Sequence, residues 1–183
     1  MEKSVKVSEK EEFPECFIYK GTLLLLPEVA KKIDDVVKTW KDKETGFVLT
    51  GEDKIVDNAL VHVINDFYQL PTYDVNRTNK LIIALDDIKE IAKKKNIIAI
   101  EHVHPNSEPW PSLADIATMI SIDILLHKPI LHIIANTEGK RLILSFQKCH
   151  ECENSFFKFL LSKRMEVKKE NGKHSFPEGW ENL

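Results

Sequence analysis

Residues 96–104, NIIAIEHVH, form an apolar run that ends in two histidines and is stopped by Pro105. A short apolar run bounded by breakers reads as a strand, and a proline cannot donate to a sheet ladder. The next long segment, SLADIATMISIDILLHK at 112–128, reads as a helix with Ser112 at its N-cap. Two further strands follow, PILHIIAN at 129–136 and RLILSFQ at 141–147, joined by Thr137–Lys140. A strand, a helix and a strand pair in this order exclude an all-β chain and point to an αβ domain.

The rest of the chain alternates in the same way. CFIYKGTLLLL at 16–26 reads as a strand or hairpin. PEVAKKIDDVVKTWKDK at 27–43 is the clearest helix, with Pro27 in its first turn and Val29, Ile33, Val36, Val37 and Trp40 at helical spacing. TGFVLTG at 45–51 and KIVDNALVHVIN at 54–65 read as two strands with a turn around Gly51–Asp53. A polar connection is expected over 66–80 and a helix over 84–95, where Asp86 and Asp87 suit the positive end of the helix dipole. ECENSFFKFLLSKRMEV at 151–167 reads as a last helix. The short links within 45–65 and 129–147 make those pairs antiparallel. The expected organisation is a polar leader at 1–14, one domain at 15–167 and a polar tail at 168–183. The fold class is α/β of the mixed, α+β kind, with helices flanking the sheet.

Composition narrows the function classes. The chain is 43% hydrophobic and 30% charged, as in a globular protein, and no apolar run reaches the ~20 residues of a membrane-spanning helix. The first residues are charged and lack a signal-peptide core, so a cytoplasmic location and no membrane partner are expected. Three cysteines do not make a disulfide framework, and a net charge of -3 offers nucleic acid no broad attraction.

On a strand, His102 and His104 project to the same side, while Glu101 and Val103 face the other. Two imidazoles so placed can grip one metal ion. Asp115 falls in the first turn of the following helix, where its carboxylate can point back over the loop as a third ligand. Two histidines and one carboxylate leave a tetrahedral position for water, as in catalytic zinc sites. Ser112-x-x-Asp115 is also the pattern of a capping box, which needs no metal.

Other histidine-pair patterns fit less well. HExxH is absent. A histidine-triad hydrolase needs a third histidine where Asn106 stands, and the metallo-β-lactamase pattern does not continue through HVHPNS. Amidohydrolase barrels need about 250 residues. A cupin fits the spacing of His102, His104 and Glu108, but the helix straight after the motif does not suit a β-roll.

What fits is His102-x-His104-Pro105-x6-Ser112-x2-Asp115, preceded by Glu44 in ETGFVLTG directly after the long helix. This resembles the JAMM motif of the MPN+ zinc metalloproteases, over roughly residues 20–150. The resemblance implies a deaminase-like MPN fold with a central, mostly antiparallel curved sheet flanked by helices. It implies one catalytic zinc held by His102, His104 and Asp115, with Glu44 as general base and Ser112 stabilising the oxyanion. It implies a ubiquitin-like protein or peptide substrate cut at an amide or isopeptide bond, as in deubiquitinase-like enzymes of compact prokaryotic or archaeal type. An extended substrate tail would add to a strand edge beside the site, bordered by 66–80. Two other readings stay open: a non-catalytic MPN-fold scaffold, and a cupin-like small-molecule metalloenzyme.

Cys149-His150-Glu151-Cys152 reads as a pair of reduced thiols, with a second metal or redox site as the alternative. His62 and His132, inside apolar strands, read as packed or hydrogen-bonded side chains. Phe156, Phe157 and Phe159 read as core of the last helix. Trp110 lies in the loop between the ligands, where it could line the approach to the site.

Overall fold

The computed structural model describes residues 17–71, 83–105 and 107–146. In chain order the elements are β1 (Thr22–Leu25), α1 (Pro27–Thr39), β2 (Thr45–Val56), β3 (Ala59–Leu70), α2 (Leu85–Ala92), β4 (Ile97–His104), α3 (Leu113–Leu126), β5 (Leu131–Asn136) and β6 (Arg141–Ser145). The strands form one mixed sheet in the order β1-β3-β2-β4-β5-β6. The two short-linked pairs, β2/β3 and β5/β6, are antiparallel as expected, and so is β2/β4. β1/β3 and β4/β5 are parallel. The sheet is therefore mixed, and the parallel pair β4/β5 is bridged by α3.

Each face of the sheet is covered by helix. Val29 and Ile33 of α1 pack with Phe47, Leu49, Ile64, Ala99, Val103 and Ile133 on one side. On the other, Ile88 of α2 and Ile122 of α3 pack with Val48, Leu70, Ile100 and Ile130. β4 lies between β2 and β5 and is buried along nearly its whole length. That double burial explains why its sequence is a continuous apolar run and does not alternate. The chain just before β1 also touches the opposite sheet edge. Ile18 bridges Leu144 of β6, and the Tyr19 amide donates to the Ile143 carbonyl at 2.8 Å. The stretch from Ile18 to Leu25 thus runs from one edge to the other, and the sheet is curled.

The hairpin between β2 and β3 differs from the sequence expectation. β2 runs unbroken to Val56, and the turn falls at Asp57–Asn58, both left-handed with φ of 49° and 64°. A two-residue hairpin turn of this hand requires positive φ at both positions, which Asp and Asn tolerate. Gly51 marks a bulge, not the turn: the register with β3 shifts between Thr50 and Gly51. A Cβ at Gly51 would collide with the Val63 carbonyl oxygen, so close backbone approach explains this glycine. β3 also extends to Leu70, into the stretch expected as a polar connection. α1 and α2 stop at Thr39 and Ala92, before the lysine-rich ends assigned to them from sequence.

The chain divides into two compact units. The described residues fall in the one spanning Phe17–Gln147. The leader at 1–14, most of the connection at 66–80, the Cys149/Cys152 pair, the helix at 151–167 and the tail lie outside the described residues.

Gly51→Ala should destabilise the domain by about 1–3 kcal/mol, the usual effect of forcing a methyl into a packed site. Urea unfolding measures this. A midpoint equal to that of the parent protein would contradict the bulge assignment.

Candidate metal centre

The strand register assembles the site. Gly46 of β2 is paired with His102 of β4, and Thr45 with Val103. Cross-strand partners share a face, so Gly46 and His102 lie on the side covered by α2 and α3. Two residues along that face, Glu44 precedes β2 at the level of His104. Gly46 presents no side chain between them. α3 then starts at Leu113, with Asp115 in its first turn above the two imidazoles.

The sequence-predicted residues come together. The ligand atoms of Glu44, His102 and His104 lie within 4.8 Å of one another. His102 Nε2 is 3.8 Å from Glu44 Oε2. Asp115 meets both histidines through different oxygens: Oδ1 is 3.5 Å from His102 Nδ1, and Oδ2 is 3.7 Å from His104 Nε2. The two rings stand nearly perpendicular with centroids 4.4 Å apart. Both carboxylates thus border the two imidazoles, and the Asp115 oxygens lie slightly nearer to them than Glu44 Oε2 does. Asp115, the carboxylate expected to be a ligand, faces the other nitrogen of His102.

The capping box and the site are the same feature. Ser112 Oγ accepts from the Asp115 amide at 3.2 Å, and Asp115 Oδ2 accepts from the Ser112 amide at 2.7 Å. These bonds hold the Asp115 carboxylate over the histidines. Burial alone would raise the Asp115 carboxyl, but the His104 contact, the His102 charge and both Ser112 bonds outweigh it and hold it at about 2. His104 is raised, chiefly by Asp115 and against burial, with further support from Glu44 and from the Glu108 backbone.

One atom tests whether these residues suit a cation. His102 Nε2 is buried and has no hydrogen-bond partner, although it is an obligate donor or acceptor. Buried polar atoms are nearly always satisfied, and an orphan calls for an explanation. A cation between His102, His104 and a carboxylate satisfies it. The side chains are not sealed off: Glu44 is 26% exposed and Asp115 16%, so solvent and a ligand can reach them. Two imidazoles and a carboxylate suit zinc, and also iron(II).

Other histidines have different partners. His132 Nε2 is 2.8 Å from Asp123 Oδ1 on α3, and His62 Nδ1 is 2.6 Å from Asp53 Oδ1 across the hairpin. Both are hydrogen-bonded, as expected from sequence. The Glu108 side chain turns to Lys140 Nζ at 2.8 Å, so it does not join the histidines as a cupin ligand would. β4 is paired on both sides and has no free edge beside the site. The sheet edges among the described residues are β1 and β6. Asn136 was not apparent as a site residue in sequence, and Glu108 was weighed only as a cupin ligand, because the contacts by which they brace the loop after His104 cross 29 and 32 positions.

No protein-family model matches this chain, and no curated protein matches it. No helix among the described residues is long and apolar enough to cross a membrane.

Cation binding here must displace protons, because ligating imidazoles are neutral. A raised His104 holds its proton above the ordinary value near 6.5. Cobalt(II) or zinc affinity, measured by chelator competition, should therefore tighten steadily from pH 5.5 to 8. The metal-free protein runs the other way. The raised His104 contributes stability that is full below its ordinary value and lost as pH rises through the raised one. An affinity independent of pH would contradict ligation by these histidines.

Proposed function

We propose that this chain is a zinc-dependent metallopeptidase of the JAMM/MPN+ kind. The bond it hydrolyses is an amide or isopeptide bond at the C-terminal tail of a ubiquitin-like protein. The observation that carries this reading is the convergence of Glu44, His102, His104 and Asp115 on one face of the sheet, with Ser112 beside them. The order and spacing of these residues match the JAMM motif, and the same residues are those that meet in space. The substrate class rests on that resemblance.

His102 and His104 would hold the cation, with the Asp115 carboxylate completing the set and Glu44 beside it. A zinc ion there supplies Lewis acidity, which acidifies a water and polarises a carbonyl. Glu44 is partly exposed at the mouth of the site and can take a proton from a water, then return it to the leaving amine. Asp115 keeps its negative charge through the working pH range, because it is held at about 2. It balances the positive charge gathered at the histidines. Ser112 accepts a bond from the Asp115 amide, so its own hydroxyl proton is available to donate. At the N-terminus of α3 that hydroxyl suits a developing oxyanion, aided by the helix dipole. Trp110, 52% exposed in the loop between the ligands, offers an apolar wall to an incoming chain.

Glu44→Gln should retain one zinc per chain and lose about 100-fold or more in turnover. Ser112→Ala should lose about 3 kcal/mol of transition-state stabilisation, also about 100-fold, with zinc retained. The assay is cleavage of a linear ubiquitin-like fusion, with zinc content measured on the same samples. Wild-type zinc-loaded protein that leaves such fusions and isopeptide conjugates intact would defeat the peptidase reading.

A further inference from the structure

The imidazole of His104 can serve a cation only if its ring is held at one angle. β4 fixes its backbone, but the strand ends there and the next residue is Pro105. Asp115, across the loop that follows, faces Nε2 at 3.7 Å, and the His102 ring stands nearly perpendicular with its centroid 4.4 Å away. Histidine ligands usually need a partner group to fix tautomer and orientation. Asp115 orients the ring only as well as the loop between them is held.

The loop is held from β5. Asn136, the last residue of that strand, pairs in parallel register with His104 and is 5% exposed. Its Oδ1 accepts from the Glu138 amide at 3.1 Å and the Lys140 amide at 2.9 Å, closing the turn into β6. Gly139 in that turn takes φ of 83°. The Asn136 Nδ2 donates to the Ser107 carbonyl at 3.1 Å, in the loop after His104. From the same turn, Lys140 Nζ reaches Glu108 Oε1 at 2.8 Å. Two consecutive loop residues are thus gripped from one turn. The grips are unequal: the Lys140–Glu108 pair is more than half exposed on both sides and worth little, whereas the Asn136 bond is partly buried.

We propose that Asn136 is a positioning residue of the cation site: its side-chain amide fixes the loop that joins His104 to the Ser112–Asp115 cap, and so the angle at which Asp115 meets the His104 imidazole. This rests on the cation-site reading above. The dual role of the amide suggests the variant. Asn136→Asp keeps an oxygen for the Glu138 and Lys140 amides and loses the donor to Ser107. A residue that only closed the β5–β6 turn would tolerate the change.

The experiment compares wild type, Asn136→Asp and Lys140→Met in two ways. The ring nitrogen shifts of His104 are recorded by NMR on metal-free protein, and cobalt(II) affinity is measured by chelator competition. Asn136→Asp should move the His104 ring shifts toward those of a freely exchanging imidazole and weaken cobalt(II) at least tenfold. Lys140→Met should change both less. A folded Asn136→Asp with wild-type ring shifts and affinity overturns the proposal. Wild type supplies a second readout should the variant fail to fold. If brace and site are coupled, cobalt(II) must slow hydrogen exchange at the Asn136 side-chain amide, because coupling is reciprocal. Exchange unchanged by cobalt(II) also overturns it. Wild type that binds no cobalt(II) defeats the cation site instead, and the metal-free His104 shifts still decide whether Asn136 orients the ring.

Discussion

The pairing of Gly46 with His102 is the constraint on which the site depends. β4 is an enclosed strand of the sheet, hydrogen-bonded to β2 on one side and β5 on the other and covered by helices on both faces. Only its last residues reach solvent, and those carry the two imidazoles. The register with β2 brings Glu44 to them, and the parallel register with β5 brings Asn136 to the level of His104. A slip of one residue in either pairing would turn the side chains to the opposite face and dismantle the site. The bulge at Thr50–Gly51 lies beyond these pairs, so the strand bends without disturbing them.

α3 is the second anchor, and it is fastened to the sheet by carboxylates. Asp115 faces the β4 histidines, and Asp123 binds His132 and the Ile130 amide at the base of β5. Ile116, Met119 and Ile122 are buried between these two attachments. The apolar contacts press the helix onto the sheet, and the two aspartates fix its position along it. The Ser112 capping box then orients the Asp115 carboxylate. Capping and site construction were competing explanations of Ser-x-x-Asp from sequence, and here one set of bonds serves both.

Much of this arrangement was legible from local pattern. The apolar run closed by Pro105 marked β4, and strand alternation put His102 and His104 on one side. Helical spacing of Val29, Ile33, Val36 and Val37 marked α1. Glycine misled at position 51, where the requirement is a close backbone approach, while the true turn uses Asp57 and Asn58 in left-handed conformations. The parallel pairs were not legible, since strand order depends on contacts between distant segments. The same holds for the loop brace. Asn136 differs in no local way from any polar residue at a strand end, and its meaning lies in a bond to a carbonyl 29 positions away. The ångström-scale placement of Glu44 and Asp115 about the two imidazoles was equally out of reach.

The account stands on one cation gripped by imidazoles and a carboxylate at the open end of β4. X-ray absorption at the zinc edge of zinc-loaded protein tests that directly. It should show only nitrogen and oxygen neighbours at about 2.0–2.1 Å, with the outer-shell scattering of two imidazoles. A shell of sulfur at about 2.3 Å would place the metal at cysteines instead, and protein that retains no zinc would leave the histidine pair without the role assigned to it.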